Sequence, residues 1–398
     1  MSCPTFQPKP ETCCGCGGCE QICSSGAIRL FPDQEGFLRP KVNLQLCNEC
    51  GLCTTVCPAI TANLKKIVSI PRKVYAGRSR DAKSVMQSTS GALFFELAML
   101  ILEIGGVVYG CGWKPNRLQA EQIRVTTPEE LERLRQSKYV QSVVGSTYQT
   151  VREDLKNGLQ VLYSGTPCQI AGLKLFLRKE YSNLLAVDLL CHGVPSPLML
   201  EEYVKWIEKQ EKCSISELKF RAKRNSGYRA YLSYKRMDGK TRIKLAGLQP
   251  YLYGFYSGFF NRKSCYTCPF KSSERAGDIT LADFWGLEKA HPEIADWMKY
   301  GASLCMFNTE RGLSWYDVFS ERVELVASTL DKAAAGNPAL SGQTHGNEQP
   351  QLRDRIYVEL KEQGFDWLVT HRLYPRGGWI HLLIPASVKN FLRKLKHH

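Results

Sequence analysis

Apolar residues recur along the chain with the spacings of helices and strands. The run 92–109 is apolar, but two glutamates and a pair of glycines interrupt it. This pattern predicts a buried helix over 91–104 that runs into a strand over 107–109, rather than a membrane span. Ser90 is the expected N-cap, because a serine oxygen accepts a hydrogen bond from an amide of the first helical turn.

A strand, a helix and a second strand follow in the middle of the chain. The strands are predicted over 161–163 and 184–190, and the helix over 168–179. The second strand is apolar throughout except for Asp188, which is typical of a parallel strand covered on both faces. A hairpin is predicted over 231–243, where an Asp-Gly turn separates two short strands.

These patterns divide the chain into four segments. Residues 1–70 form a cysteine-rich block and residues 71–330 an α/β domain. Residues 331–350 have the composition of a linker, and residues 351–398 are predicted to be a basic helical tail.

Composition narrows the class of protein. Hydrophobic residues make up 43% of the chain, which excludes wholesale disorder, and the formal net charge is +15. Ten of the 17 cysteines fall within the first 57 residues. No apolar signal segment begins the sequence, so we expect a cytoplasmic protein with reduced thiols. Dense reduced cysteines indicate metal binding rather than disulfides.

Two cysteine quartets share the spacing C-x2-C-x2-C-x3-C. This spacing wraps three thiolates around one [4Fe–4S] cube, and the fourth cysteine of each run ligates the other cluster. The predicted ligands are therefore Cys13, Cys16, Cys19 and Cys57 for one cluster, and Cys47, Cys50, Cys53 and Cys23 for the second. Zinc is the competing interpretation, but it needs only four ligands in all. Cys3 and Cys14 lie outside the pattern, and Cys14 is predicted to be a neighbour rather than a ligand.

This block resembles the bacterial-type two-[4Fe–4S] ferredoxin domain. One departure is Ser24, where that domain usually has proline after the fourth cysteine. The departure removes no ligand.

A second, dispersed set of cysteines follows. Cys168 opens a helix after one strand, Cys191 directly follows the next strand, and Cys265 and Cys268 form a C-x2-C pair. Parallel strands would place Cys168 and Cys191 at the same ligand-binding edge of the sheet. Together the four could hold a third [4Fe–4S] cluster. A low-pKa nucleophile at Cys168, a redox dithiol at the C-x2-C pair and plain core cysteines remain open alternatives.

Residues 71–330 resemble the family of coenzyme F420 hydrogenase/dehydrogenase beta subunits, and with the ferredoxin block the resemblance spans about 10–350. The segments that carry it are STSGA at 88–92, SKYVQS at 137–142, GTPCQIAGL at 165–173, DLLCHGVP at 188–195, FRAK at 220–223, SCYTCP at 264–269 and DITLADFWG at 278–286. GTPCQ followed by CHGVP at this distance is specific. The resemblance implies an α+β dicluster ferredoxin domain and an α/β flavin-type domain with a mixed sheet. The pattern of residues beyond 350 adds a short C-terminal helical tail.

The resemblance also implies an FAD in the α/β domain that exchanges electrons with the clusters. Relatives include subunits that reduce a deazaflavin coenzyme and a plant enzyme that reduces a chlorophyll intermediate. Many bacterial members lie in surface-polysaccharide gene neighbourhoods. Ala92 and Ala282 depart from the family, which often has glycine there. No G-x-G-x-x-G opens a helix, so a Rossmann dinucleotide site is not predicted.

Candidate flavin contacts follow from residue chemistry. The turn Ser90–Gly91 could bind a phosphate on its amides, and Lys138 could offset the pyrophosphate charge. The turn Gly165–Pro167 is a second candidate contact, through Gly165, Thr166 and Pro167. His192 could move a proton or donate to a cluster sulfur; a structural histidine is the alternative.

Two basic regions suggest partners. Residues 219–244 hold ten Lys and Arg and one acid, which suits an anionic coenzyme, an acidic sugar or a solvated hairpin. Nucleic acid is disfavoured, because no recognition motif accompanies the charge. Residues 379–398 combine an apolar stretch with a basic amphipathic helix, so they could contact a membrane peripherally, at its inner face, or pack on protein.

The leading hypothesis is therefore an iron–sulfur flavoprotein oxidoreductase that acts on a small molecule or sugar, with a redox partner or ferredoxin-type donor. A non-catalytic electron-transfer subunit is the alternative. A large cavity would favour the enzyme, and an apolar patch at a cluster edge without a cavity would favour the electron carrier. A nucleic-acid-binding iron–sulfur protein is the third hypothesis, and it predicts steeply salt-dependent binding through 219–244.

Overall fold

The computed structural model describes residues 6, 8–60, 64–65, 67–115, 118–224, 227–342 and 351–374, and of residues 227–230 only the backbone. The strands are β1 Ile28–Pro32, β2 Leu38–Val42, β3 Lys73–Ser79, β4 Val107–Trp113, β5 Ala120–Val125, β6 Val161–Gly165, β7 Leu184–Leu189, β8 Ile215–Arg224, β9 Gly227–Arg236, β10 Thr241–Leu245, β11 Ile279–Asp283, β12 Ser303–Phe307 and β13 Val323–Ser328. The α-helices are α1 Gly18–Ile22, α2 Leu52–Thr55, α3 Ala82–Gln87, α4 Leu93–Glu103, α5 Pro128–Leu131, α6 Thr147–Lys156, α7 Pro167–Leu177, α8 Pro197–Glu211, α9 Pro250–Tyr256, α10 Leu287–Ala290, α11 Glu310–Leu313, α12 Tyr316–Ser320, α13 Leu330–Gly336 and α14 Leu352–His371.

The N-terminal domain repeats one small unit. β1 and β2 pair antiparallel, and each cysteine quartet leads into a short helix, α1 or α2. Gly17 (φ 77°) and Gly51 (φ 70°) occupy equivalent N-cap positions in the left-handed region, which glycine adopts without steric cost. The two quartets therefore turn into their helices in the same way.

The second domain is built on a large mixed sheet. Its strand order is β13-β3-β12-β11-β7-β6-β4-β5. β4, β6, β7 and β11 run parallel, whereas β5 and β12 are antiparallel to their neighbours. Alternate residues of β6 enter separate cores: Val161 and Tyr163 pack with α6 and α7, while Leu162 packs with α4. Because both faces are covered, these strands read as continuous apolar runs.

A third core lies beside the sheet. The antiparallel strands β8, β9 and β10 pack with α8, α9 and α14 around Tyr203 and Tyr251. The predicted hairpin is present, with Lys235 opposite Thr241. Glu211 of α8 neutralises part of its positive charge through ion pairs with Arg236 (2.9 Å) and Arg242 (3.1 Å).

The fold confirms a small ferredoxin-like domain followed by an α/β domain with a large mixed sheet and a C-terminal helix. The predicted linker 331–350 is in part wrong, because α13 and a further helical turn occupy it as far as residue 341. The first part of the predicted tail is α14, which buries Ile356 and Leu368 against the third core. Residues 379–398, the predicted membrane contact, lie outside the described residues.

The predicted helix after Ser90 is present but begins later. α4 starts at Leu93, and its N-cap is Ala92. Ser90 Oγ instead donates to the carbonyl of Ala302 (2.7 Å), so the serine joins the turn to the segment before β12 rather than capping the helix. None of the helices in the described part of the chain has the length and apolar character that crossing a bilayer requires.

Candidate functional site

Four cysteines from the two ends of the ferredoxin domain come together. Burial and the charges of Cys13 and Cys57 raise the pKa of Cys19, and burial and the charge of Cys13 raise the pKa of Cys57 to about 11. Cys16 interacts with the same two thiols, Cys19 and Cys57. Thiols that crowd one another in a buried space are hard to ionise unless a cation binds them. Their arrangement fits the predicted ligands of one cluster.

The other quartet lies nearer to solvent. Cys53 is buried and shares a small apolar cluster with Cys23, whereas Cys47 is half-buried and Cys50 exposed in the loop before α2. Among the described residues, no three Cys, His, Asp or Glu side chains are grouped as around a single metal ion. A cubane spreads its ligands more widely than one ion does, because each thiolate binds a different iron of the cube.

The sheet assembles the dispersed cysteines. Gly165 of β6 pairs with Asp188 of β7, and Cys168 and Cys191 each follow three residues later. Both therefore lie at the carboxyl edge of the sheet. A bridge between Pro195 and Asn261 then brings the 262–268 segment alongside.

The four thiols of this second set interact at that edge. Burial and the charges of Cys265, Cys168 and Cys268 raise the pKa of Cys191 well above its usual range. Burial and the charges of Cys168 and Cys265 raise the pKa of Cys268 to about 12. Cys14 lies between the two domains and interacts with both Cys16 and Cys168. The second set is thus adjacent to the first.

A cavity of about 830 Å³ extends from these cysteines along the sheet edge. All four cysteines of the second set line it, together with Gly165, Thr166 and Pro167. Its far side is formed by 88–90 and by the first turn of α4. The volume falls in the range of small-molecule and cofactor sites, roughly 300–1,000 Å³.

The start of α7 holds Cys168 firmly. Thr166 and Gln169 form a reciprocal capping box, and Pro167 occupies the first helical turn. Thr166 Oγ1 lies 3.2 Å from Cys168 Sγ, so the hydroxyl can donate to a thiolate there. The segment 165–168 thus places the Cys168 thiol at the edge of the sheet, with the Thr166 hydroxyl beside it as a hydrogen-bond donor.

The predicted phosphate turn is arranged differently from the sequence expectation. The amide of Gly91 donates to Ser303 Oγ (2.9 Å), and Gly91 is buried against β3. Within the described residues, the amides of Leu93 and Phe94 have no hydrogen-bond acceptor, and both residues line the cavity. Any phosphate bound on amides here would use the first turn of α4 rather than Gly91.

A matched pair of substitutions tests this turn. Ala92 has φ 69°, where a side chain costs about 1–2 kcal/mol, so Ala92→Gly is expected to raise the free energy of unfolding by up to about 1 kcal/mol. A Cβ at Gly91 would lie 2.4 Å from the Gly77 carbonyl oxygen. Gly91→Ala should therefore lower that free energy by about 1–3 kcal/mol. Denaturant titrations measure the free energy of unfolding of both variants. Changes of the same sign in the two variants would contradict this arrangement of the turn.

Lys138 and His192 both line the cavity. Lys138 Nζ donates to the carbonyls of Arg135 (2.6 Å) and Arg133 (3.2 Å), and burial lowers the pKa of Lys138 to about 8. His192 contacts Phe255 edge-to-face, with ring centroids 5.7 Å apart. Lys138 thus fixes the 133–138 loop while carrying a positive charge at the cavity wall.

The structure places three further charged side chains at or beside the cavity that the sequence did not single out. Arg221 of β8 forms a buried bidentate pair with Asp283 of β11 (2.7 and 3.2 Å), and both line the cavity. Beside them, Lys223 donates to the carbonyls of Ser90 and Val85, and burial lowers the pKa of Lys223 to about 7. The sequence signal was the density of basic residues in 219–244, which did not reveal that some of them point inward.

Comparison with known proteins agrees with this arrangement. Residues 158–333 match the family defined by the C terminus of the coenzyme F420 hydrogenase/dehydrogenase beta subunit, and residues 12–60 match the 4Fe-4S dicluster domain. The chain therefore carries the C-terminal domain of this family of beta subunits. Its N-terminal domain is an iron–sulfur dicluster domain, and the chain is an iron–sulfur protein related to components of redox enzymes.

Individual relatives match parts of the chain. It is 24% identical to one subunit, designated F, of the F(420)H(2) dehydrogenase of Methanosarcina mazei, over 53% of this chain and 62% of the relative. It is 30% identical to the coenzyme F420-dependent sulfite reductase of Methanocaldococcus jannaschii, over 52% of this chain and 32% of that protein. Ferredoxin-type protein NapF of Escherichia coli is 45% identical over 12% of this chain and 30% of its own. The chain thus spans less than two thirds of each.

One solved structure is also similar. It is a chain of the F420-reducing [NiFe] hydrogenase complex from Methanosarcina barkeri, with a TM-score of 0.45 and 15% sequence identity. The match covers 75% of this chain and 90% of that one.

Proposed function

We propose that this protein is an oxidoreductase that passes electrons between ferredoxin-type clusters and an FAD, through a third [4Fe–4S] cluster at Cys168, Cys191, Cys265 and Cys268. The observation that carries the proposal is the 830 Å³ cavity, which has four interacting cysteines at one end and open helix amides at the other. The clusters would exchange single electrons, and the flavin would exchange two with a substrate.

The residues that would hold each group follow from the geometry. The thiolates of the second set would ligate the third cluster, with the Thr166 hydroxyl donating to Cys168. The amides of Leu93 and Phe94 and the charge of Lys138 would face a pyrophosphate. Both sets of contacts come from elements that the sheet holds in place, so little would have to move on binding.

The chain's own residues also shape a substrate space. Tyr139, Phe255 and Trp285 give the cavity aromatic walls, and Arg221 lies among them at 5.5 Å from the Trp285 ring. Apolar walls with few fixed charges are typical of sites for small molecules. We therefore propose a small organic substrate. A sugar of surface-polysaccharide synthesis would meet this description.

The alternative is a protein that only carries electrons to a partner holding the substrate. Exposed Leu44 and Leu46 lie beside Cys47 and would give a redox partner an apolar contact near the outer cluster. The cavity favours the enzyme, because a pure carrier has no use for it.

Cofactor content tests the proposal. Protein purified without oxygen is expected to hold about 12 iron and 12 acid-labile sulfide, with one flavin per chain. Iron analysis, sulfide analysis and the flavin spectrum after denaturation measure these values. About 8 iron without flavin would contradict the enzyme and leave the electron carrier.

A further inference from the structure

Arg262 lies buried at the junction of the two domains. Its side chain is completely inaccessible to solvent, and its hydrogen-bond partners among the described residues are neutral groups or a thiol. Nε donates to the carbonyl of Cys13 (2.6 Å), Nη1 to Gln141 Oε1 (3.2 Å) and Nη2 to the carbonyl of Leu38 (3.0 Å). None of the ion pairs found within the described ranges includes Arg262. A buried cation without a counterion costs several kcal/mol.

The other buried arginines of this structure show what is missing. Arg275 pairs with Asp188, and Arg353 pairs with Glu35. Arg353 is equally inaccessible and contacts the same Phe37 ring as Arg262. Arg262 is therefore unusual because its charge has no carboxylate, rather than because it is buried.

The negative charge nearest to Arg262 would come from the cysteine sets. Nη2 lies 3.4 Å from Cys13 Sγ, and the charge of Arg262 also acts on Cys168 and Cys265 of the second set. A [4Fe–4S] cube with four thiolates carries about −2 when oxidised, and one more negative charge when reduced. The guanidinium is thus placed to compensate clusters on both sides of the junction.

We infer that Arg262 is a positioning residue whose buried charge raises the reduction potential of the cluster at Cys13, Cys16, Cys19 and Cys57. The inference rests on the proposed clusters. Reduction adds one electron to the cube without forming or breaking a bond, and a buried cation stabilises the more negative product.

A higher potential would favour an electron on the inner cluster, which is next to the second set of cysteines and the cavity. Arg262 would do this through charge alone, without ligating iron.

The test is a potentiometric titration of the full chain with its clusters, using redox mediators and dithionite and following the EPR signal of each cluster. Arg262→Gln is expected to shift the inner cluster at least tenfold toward the oxidised form at a given potential, which is about 59 mV for one electron. The potential of the outer cluster should not change. The signal lost in a Cys50→Ser variant identifies the outer cluster and the signal lost in Cys168→Ser identifies the third, so the remaining signal belongs to the inner cluster. Arg262→Lys keeps the charge and should shift less.

Two further variants keep the result decisive. Gln141→Glu would place a carboxylate on Arg262 Nη1 without removing the arginine, so it should lower the same potential even where Arg262→Gln fails to fold. Arg353→Gln removes an equally buried arginine that has no cysteine contact, and it should leave both potentials unchanged. Unchanged inner-cluster potentials in Arg262→Gln and Gln141→Glu, with wild-type iron content, would overturn the inference. The iron content of the wild-type protein tests whether the proposed clusters are present, and it does so independently of the potentials.

Discussion

A Cys168→Ser variant is expected to contain about four iron atoms fewer per chain than the wild type, with the ferredoxin clusters retained. The reason is geometric: Cys168, Cys191, Cys265 and Cys268 interact at one edge of the sheet, so the loss of one thiolate leaves the third cube incompletely held. Iron and sulfide analysis of protein purified without oxygen measures the effect. Cys191→Ser and Cys265→Ser should behave alike.

Cys305→Ser is the matched control. Cys305 is a fully buried cysteine of β12 that packs in the core and takes no part in either set. Its replacement should lower the free energy of unfolding but leave the iron content unchanged. A full iron complement in Cys168→Ser would contradict the third cluster and return Cys168 to its alternative roles as a nucleophile or core residue.

Breaking the buried pair Asp188–Arg275 should have the largest effect on stability. The two side chains are 0% and 1% exposed, and their charged atoms lie 3.3 Å apart. Asp188 also accepts from the amides of Ala276 and Gly277, while Arg275 donates to the carbonyls of Phe270 and Leu189. Arg275→Met is expected to lower the free energy of unfolding by about 3–5 kcal/mol, because Asp188 would remain as an uncompensated buried charge.

Denaturant unfolding measures this prediction. Lys205→Ala removes an exposed pair with Glu201 and Glu202 on α8, and it should cost about 1 kcal/mol or less. Equal effects of the two variants would show that the buried pair is not what holds β7 to the 276–280 segment. The same pair joins the segment that leads to Cys191, three residues after Asp188, to the segment that follows Cys268, seven residues before Arg275. The iron content of Arg275→Met should therefore fall as well.

Local sequence patterns were sufficient to predict most of the secondary-structure elements. The strand–helix–strand unit over 161–190 and the 231–245 hairpin are present, because apolar spacing and turn residues act within a few positions. The cysteine quartets indicated the dicluster domain for the same reason. Thr127, followed by proline, caps α5 through its side chain, which is a local signal of the same kind.

The structure differs from the sequence predictions where a residue makes contacts with distant segments of the chain. Ser90 does not cap α4, because its hydroxyl bonds to Ala302 and Gly91 packs on β3. The predicted linker becomes α13, because Ala333 is buried in the core beside β12. In each case packing against another element of the fold outweighs the local preference.

The junction between the domains could not be predicted from local sequence, because it is formed by long-range packing. Nothing near Arg262 in the chain reveals that it is buried, since its partners Cys13 and Gln141 lie 249 and 121 residues away. The meeting of Cys168 and Cys191 with Cys265 and Cys268 likewise depends on the register of β6 with β7 and on the Pro195–Asn261 bridge. Ligand spacing and turn chemistry are properties of short segments, whereas burial of a charge and convergence of dispersed thiols exist only once the sheet and both domains are assembled.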